Sequence, residues 1–479
     1  MKLESLLDPT PTSLGEKSTW TAAAMMVPIA FLTALAVHVF VLERFPNSGD
    51  ENAYLWQAEA FAIGAVTAPS PQPTDAFRLS HVVDAAGRRF SKYPPGWPLL
   101  LSAGVYAGLP GAVNPLLSAL ALAGIYRLGC VWIGRRGALL GALAVFVTPF
   151  FLLNAGSYHS HPSCLFALTA LALCLTWGND RRSAEAFVLA GAAFGLAVLI
   201  RPFSALLLGL PILAAFAPAL ARDRPRNLLL FGAGGLPCAV FLALVNVSVT
   251  GTWWRMAWSQ YDVSETLGFG PYGHTLFDGL KTMVRLAGEG VLYTCLSGAI
   301  LLGLGWGRRF PRRQLARILL LAPVVGHVFW WSHGGNRYGP RFYFEALLPF
   351  TLFAGAGLER ALQWARFRSV ATLACAAWVT IASVLIVRAH DQVHARRDVF
   401  RTVNAAGLTN AVVLLTTASS DMVRVDLTRN PPDFRGAPVL FALARGPLDR
   451  EVKQAYPDRA FYFYRWTPEG GILSPADIE

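Results

Sequence analysis

The chain has 479 residues, of which 54% are hydrophobic and only 15% are charged, against about 25% charged in a typical soluble domain. Those proportions exclude a disordered chain, a coiled coil and an ordinary soluble enzyme, and they place much of the chain in lipid. The net charge of +12 is concentrated in short connections between apolar runs, which is the pattern of cytoplasmic loops rather than of a nucleic-acid surface, so no nucleic-acid partner is expected.

A membrane span needs about 20 mostly apolar residues. The first such run is Trp20–Leu42, read as an uncleaved span because no small-x-small site precedes the acidic stretch after it. Ten more follow, near 112–133, 137–155, 162–177, 184–200, 203–220, 228–249, 286–306, 316–332, 346–358 and 370–388. Alternate connections carry Arg135/Arg136, Arg181/Arg182, Arg222/Arg224/Arg226, Arg308/Arg309/Arg312/Arg313/Arg317 and Arg360/Arg366/Arg368, fifteen arginines in all. The positive-inside rule makes that side cytoplasmic, with the N-terminus inside and the C-terminus outside. The outer connections, 43–96, 156–161, the junction at 201, 250–285, 333–345 and 389–479, are longer and hold most of the acids, histidines and aromatics. Chemistry is therefore expected on the outer face. The six cysteines fall in apolar runs with no metal-ligand spacing, and read as small buried residues.

The first outer loop opens Asn47-Ser48-Gly49-Asp50-Glu51-Asn52-Ala53-Tyr54. Ser48 or Asn47 is suited to cap a helix starting near Asp50, on which Asp50, Tyr54, Gln57 and Phe61 share a face. Its two acids read either as first-turn charges stabilising the helix or as a catalytic carboxylate with its neighbour. The loop ends Ser91-Lys92-Tyr93-Pro94-Pro95-Gly96-Trp97-Pro98, whose prolines argue against a regular helix and for a rigid extended path. Lys92 either snorkels to headgroups or holds a lipid phosphate as a point charge; the local pattern fits both. Ser157-Tyr158-His159-Ser160-His161-Pro162 carries an HxH pair, which would ligate a metal only if carboxylates approached.

Arg201-Pro202 lies between two apolar runs, and a charge at that depth reads as a site residue or as a boundary arginine. In His333-Gly334-Gly335-Asn336-Arg337-Tyr338-Gly339-Pro340-Arg341-Phe342-Tyr343-Phe344-Glu345, two outer arginines straddle a Gly-Pro break. An anionic ligand explains them, since guanidinium grips phosphate bidentately; a salt bridge to Glu345 or Asp50 is the alternative. The aromatic loop 250–285, with Gly268-Phe269-Gly270-Pro271-Tyr272-Gly273-His274, reads either as an interfacial belt or as a loop over a sugar site. In the tail, Ala411–Thr417, Pro438–Ala444 and Ala460–Trp466 have strand character, while His394–Ala406 and Leu448–Tyr456 have helical spacing.

Taken together, Gly49-Asp50-Glu51 with Tyr54, Lys92-Tyr93-Pro94-Pro95-Gly96-Trp97-Pro98, Ser160-His161-Pro162, Arg201-Pro202 and Arg337-Tyr338-Gly339-Pro340-Arg341-Phe342 resemble the GT-C membrane glycosyltransferases, in the bacterial protein O-mannosyltransferase-like and aminoarabinose-transferase-like branch. The resemblance implies an all-α polytopic membrane protein of about 11 helices over residues 1–388, interfacial helices in 43–96, and a small extracytoplasmic α/β domain over 389–479. It implies an enzyme of the plasma (inner) membrane that moves a single hexosyl or pentosyl unit, with inversion, from a polyprenyl-phosphate carrier to a lipid, glycan or protein acceptor on the outer face. By the same resemblance Asp50, with Glu51 beside it, matches the catalytic carboxylate, and Lys92 matches the lysine that holds the carrier phosphate. Here Tyr93 separates that lysine from the paired prolines, whereas some members have them adjacent. Arg337, Arg341 and Arg201 are the further phosphate candidates; Tyr54, Tyr93, His161, Tyr338, Glu345 and His274 are the substrate-contact candidates. No cofactor is required by the chemistry, and a divalent metal is left open. A transporter or flippase of lipid-linked sugars is the rival reading; against it stand the absence of repeated halves and of an ionisable cluster midway through the spans.

Overall fold

A computed structural model describes residues 16–222, 225–334, 338–364, 367–416, 426–467 and 469–478. Among these the chain is mostly helical, and it divides into two compact units. The first comprises 1–39, 111–242 and 264–388; the second comprises 40–110, 243–263 and 389–479.

In the first unit the apolar runs become helices, but fewer of them than the expected eleven are straight spans. Among the described residues five helices are long and apolar enough to cross a membrane, Lys17–Val41, Pro110–Trp132, His161–Arg181, Arg226–Thr250 and Ala374–Ala405. Two bent pairs raise the number to seven if each is one span. The first pair, Arg135–Phe146 with Pro149–Gly156, bends by 66°. The break falls at Thr148, whose hydroxyl accepts the Phe151 N–H and starts a new helix ahead of Pro149. The second pair, Leu276–Tyr293 with Ser297–Trp306, bends by 105°, where Cys295 and Leu296 take φ values of 54° and 62°. The runs expected at 184–200 and 203–220 are shorter helices interrupted at Arg201-Pro202. Hydropathy registers composition, and the breaks at Thr148 and at Cys295–Leu296 do not interrupt it, whereas the one at Arg201-Pro202 falls where the apolar runs were already divided.

Glycines bring the helices of this unit into backbone contact. A Cβ added at Gly141 would strike the Thr351 carbonyl, and one at Gly355 the Gly137 carbonyl. The same reciprocity joins Gly305 with Phe353 and Gly357 with Leu301, and Gly191 with Phe231 and Gly234 with Val188. Within lipid, helices gain little from burying apolar surface, so close van der Waals approach at small residues holds them together. Gly355→Leu is therefore expected to lower thermal stability in detergent, overpacking costing about 1–3 kcal/mol or more. Gly303→Leu is the control, because nothing lies within 4 Å of a Cβ there. Equal melting temperatures for the two variants would remove this account of the packing.

Among the described residues the second unit carries two sheets. Strands β1 (Ala68–Pro69), β2 (Val82–Ala85) and β3 (Arg88–Ser91) form an antiparallel sheet in the order β1-β3-β2. Strands β4 (Ala411–Leu415), β5 (Val439–Leu443), β6 (Ala460–Thr467) and β7 (Gly470–Pro475) form the other, in the order β5-β4-β6-β7. In it β4 runs parallel to both β5 and β6, and β7 closes antiparallel to β6. Three of these strands occupy the runs singled out by their apolar and aromatic residues, and the helix Pro447–Ala455 falls within one residue of its expected place; Thr417 lies outside the described residues. The core under this sheet includes Val412, Leu414, Leu440 and Val452, and also Ala76 and Phe77 from the segment that follows the first span.

Two local expectations change. The helix Gly96–Tyr106 starts inside the proline-rich stretch, because Pro98 falls in its first turn, where no N–H is needed. Residues Phe367–Ala405 form one helix of 39 residues, where a span ending at 388 and a separate helix from His394 were expected. The change at Arg388 is one of polarity, not of backbone.

Candidate active site

In the second unit the site residues of the first loop are assembled by a helix and a hairpin. The helix is Gly49–Ala62. Ser48 caps it, its hydroxyl accepting the Glu51 N–H at 3.2 Å. Glu51 reaches back in turn, its Oε2 accepting from Asn47 N at 3.1 Å and Ser48 Oγ at 3.0 Å. The fully buried Glu51 carboxylate thus serves the helix N-terminus, taking the N–H of the residue before the cap and the capping hydroxyl. Asp50 leaves the helix roughly 100° away and turns to the hairpin. Its Oδ1 accepts a short hydrogen bond from Tyr93 OH and lies 3.3 Å from His81 Nε2.

The hairpin sets those partners. Ala86 and Gly87, both at positive φ, make the two-residue turn between β2 and β3. Counting outward pairs Ala85 with Arg88 and Val82 with Ser91. One step further, Lys92 N donates to His81 O at 3.0 Å. His81 and Lys92 thus form one rung at the foot of the hairpin. Gln57 pins the same end from the helix, its Oε1 accepting from Ser91 N at 2.9 Å, and the buried Arg89 holds Asp84 at 2.7 Å. A Cβ at Gly49 would come within 2.6 Å of Ser80 Cβ, so only glycine lets the His81 turn close on the helix start.

Lys92 is buried rather than displayed to headgroups. Its ammonium lies 4.3 Å from the Tyr261 ring centre and 5.4 Å from that of Tyr93. Tyr54 stacks on Tyr93 at 4.5 Å, and His81 meets both Tyr93 and Tyr261 at 5.6 Å. A crevice lined by Gln57, Ser91, Tyr93, Pro95, Val249 and Trp258 opens along the Tyr93 edge. A carboxylate and an ammonium fixed on adjoining elements, with aromatic faces between them, can accept a proton and hold an anion. His81 and Tyr261 are additions to the sequence reading. His81 was reachable from the chain alone: pairing outward from Ala86-Gly87 sets it opposite Lys92.

The first unit gathers a second set. Arg201 ends the helix Ala184–Ile200, His161 begins His161–Arg181, and Glu345 stands in the 3-10 turn Arg341–Ala346. Glu345 Oε1 lies 3.2 Å from both His161 Nδ1 and Arg201 Nε. Arg201 also donates to Ser160 Oγ at 3.1 Å. Complete burial pushes the Glu345 carboxyl up to about 7, against the opposing pull of Arg201. Arg341 Nη1 lies 3.1 Å from His159 Nε2, and the Tyr338 ring 5.8 Å from that of His159. The ion pair with Glu345 is thus made by Arg201, where Arg337 and Arg341 were the weighed partners. Arg337 lies outside the described residues. His274 is set apart from this group, its Nε2 3.0 Å from Val328 O. The HxH pair meets one carboxylate, Glu345, beside the Arg201 guanidinium.

A family model described as dolichyl-phosphate-mannose-protein mannosyltransferase matches residues 112–253. No curated protein matches the chain by sequence. By structure the chain is similar to ArnT from Cupriavidus metallidurans in its apo state, with a TM-score of 0.59 and 14% identity over 95% of this chain and 94% of that one. ArnT bound to undecaprenyl phosphate gives a TM-score of 0.58, with the same identity and coverage. The Archaeoglobus fulgidus oligosaccharyltransferase in its apo form is a looser match, with a TM-score of 0.41 and 13% identity over 91% of this chain and 64% of that one. The chain has the GT-C fold of membrane glycosyltransferases. Along nearly its whole length that fold is laid out as in ArnT.

Proposed function

We propose that this chain is an inverting glycosyltransferase that moves one sugar from a polyprenyl-phosphate carrier to an acceptor on the outer face of the membrane. The observation that carries this reading is the rung joining His81 and Lys92, which sets an ammonium and the Asp50 carboxylate on one rigid hairpin and helix. The likeness to ArnT bound to undecaprenyl phosphate supports a polyprenyl carrier.

The acceptor hydroxyl attacks the anomeric carbon from the face opposite the phosphate. As the new C–O bond forms, its proton passes to Asp50, and the sugar–phosphate C–O bond breaks with its electron pair remaining on the carrier phosphate. Lys92 stabilises the charge that develops there. Tyr93 and His81 hold the Asp50 carboxylate in place, and Glu51 keeps the helix that bears it. Tyr54, on the same helix as Asp50, is retained as a substrate contact; the phosphate roles of Arg201 and Arg341 and the contact roles of Tyr338, His161, Glu345 and His274 are proposed for the first unit taken by itself.

The test is release of polyprenyl phosphate by the purified protein from a panel of polyprenyl-phosphate sugars. Turnover of one donor supports the reading; bilayer scrambling of those lipids without release would transfer it to the flippase. Lys92→Ala is expected to weaken donor binding at least tenfold, with little loss of fold, as binding to immobilised carrier lipid would report. Unchanged affinity would remove Lys92 from the phosphate site.

The fifteen short-loop arginines put the tail outside the cytoplasm in this reading. A cysteine introduced within 430–450 should react with an impermeant reagent in intact cells, and one within 308–313 should not. The reverse pattern inverts the topology.

A further inference from the structure

A cluster on the second unit has no part in the transfer chemistry. Glu43, just after the first span, faces His390 and His394, one turn apart on the long helix. Glu43 Oε1 lies 3.8 Å from His390 Nδ1 and 2.6 Å from His394 Nδ1, and the two imidazole rings are 5.6 Å apart. One donor atom from each of the three residues falls within 4.8 Å of the others. Glu43 and Arg44 take φ values of 47° and 56°, a left-handed pair that turns the carboxylate towards the helix at a cost in backbone strain.

The contacts at His394 conflict. Its Nδ1 has an acceptor, Glu43 Oε1, on one side and a donor, Arg401 Nη1 at 2.5 Å, on the other. A proton on that nitrogen opposes the arginine; without one, its lone pair faces that of the carboxylate. A cation between imidazole and carboxylate resolves the conflict. Arg401 has somewhere to go, since Asp398 Oδ1 accepts from its Nη2 at 3.3 Å. Arg397 donates to the other Glu43 oxygen at 3.1 Å, as a residue orienting a ligating carboxylate would.

We propose that Glu43, His390 and His394 bind a divalent transition-metal ion, with Zn²⁺ the best match to two imidazoles and a carboxylate, and that the ion staples the segment following the first span to the long helix. Zinc bonds of about 2.0–2.1 Å set tetrahedral ligand atoms roughly 3.3 Å apart. The observed spacings straddle that value, so side-chain adjustment suffices. Both histidines are solvent-accessible, with side-chain exposures of 41% and 56%, which gives the ion a way in and leaves room for a water as the fourth ligand. The nearby guanidinium groups oppose a cation, so affinity is moderate.

The test uses the full chain in detergent, stripped with chelator and titrated with Zn²⁺ alone by calorimetry, with Co²⁺ absorption as a second readout. One ion per chain and a tetrahedral Co²⁺ spectrum are expected. Replacing both histidines by Gln should weaken binding by ~100-fold or more, with size exclusion confirming the fold. Arg401→Gln should tighten binding several-fold, because it removes the competing donor; if the cluster were only an ion-pair hub, no stoichiometric site would exist to tighten. Absence of stoichiometric binding, equal binding by the double variant, or weaker binding by Arg401→Gln would each overturn the assignment. None of these readouts depends on sugar transfer.

Discussion

Asp50→Asn is expected to leave the protein folded and able to bind donor, and to slow sugar transfer by about 10²–10⁴-fold, the usual cost of losing a general base. The substitution keeps the shape of the side chain and an oxygen for Tyr93 and His81 to approach, so the change falls on proton acceptance rather than on packing. Glu51→Gln behaves differently. Glu51 accepts from Asn47 N and Ser48 Oγ at the start of its own helix, and loss of a cap contact costs about 1 kcal/mol of helix stability. A lowered melting temperature with transfer largely kept is the expected result. The measurement is transfer rate beside thermal stability for both variants. A folded Glu51→Gln protein without activity, next to a nearly normal Asp50→Asn protein, would exchange the two roles.

Glu345→Ala is expected to destabilise the first unit by about 3–5 kcal/mol, because it strands the buried His161 and the partly buried Arg201 without their shared carboxylate. Glu345→Gln keeps the volume and costs less. The two also separate by pH. A carboxyl held at about 7 in the folded chain and about 4.3 unfolded binds more protons folded than unfolded between those values. Stability should therefore fall as pH rises from about 4.5 to about 7, and level off above. Gln cannot titrate, so Glu345→Gln should lose this slope. Melting temperatures of both proteins across that range provide the check, and an identical slope in the two would assign the titration elsewhere.

The helix that follows the first span was legible because capping has a local signature: Ser48 stands just before its first turn, and in the structure its hydroxyl accepts the Glu51 N–H. Strands β4, β5 and β6 were legible because continuous β-branched, apolar and aromatic runs of strand length suit a sheet, and β4 is buried along its whole length. The hairpin of β2 and β3 was not read, since its strands are four residues each and mix apolar with polar residues, too short for alternation to stand out. Its turn residues were the clue, and they lead to His81. The pairing of Arg201 with Glu345 had no local trace: it depends on how three helix ends meet, which periodicity does not encode. The breaks at Thr148 and at Cys295–Leu296 were hidden for a related reason, since a capping hydroxyl and a left-handed turn leave an apolar average unchanged.

The helix Leu347–Ala361 has glycine at 355 and 357, two residues apart and so roughly 200° apart around its axis. Each faces a different neighbour, Gly355 the helix Arg135–Phe146 and Gly357 the helix Ser297–Trp306. Mechanically this helix is a blade in a slot. It is shaved on two opposite sides, and rotation about its long axis would drive a side chain into a neighbouring backbone. Its azimuth is locked by these two contacts. Glu345 stands two residues before the first residue of this blade, in the turn that feeds it. The direction in which that carboxylate leaves the chain is thereby set from more than two helical turns away, by residues that have no side chain.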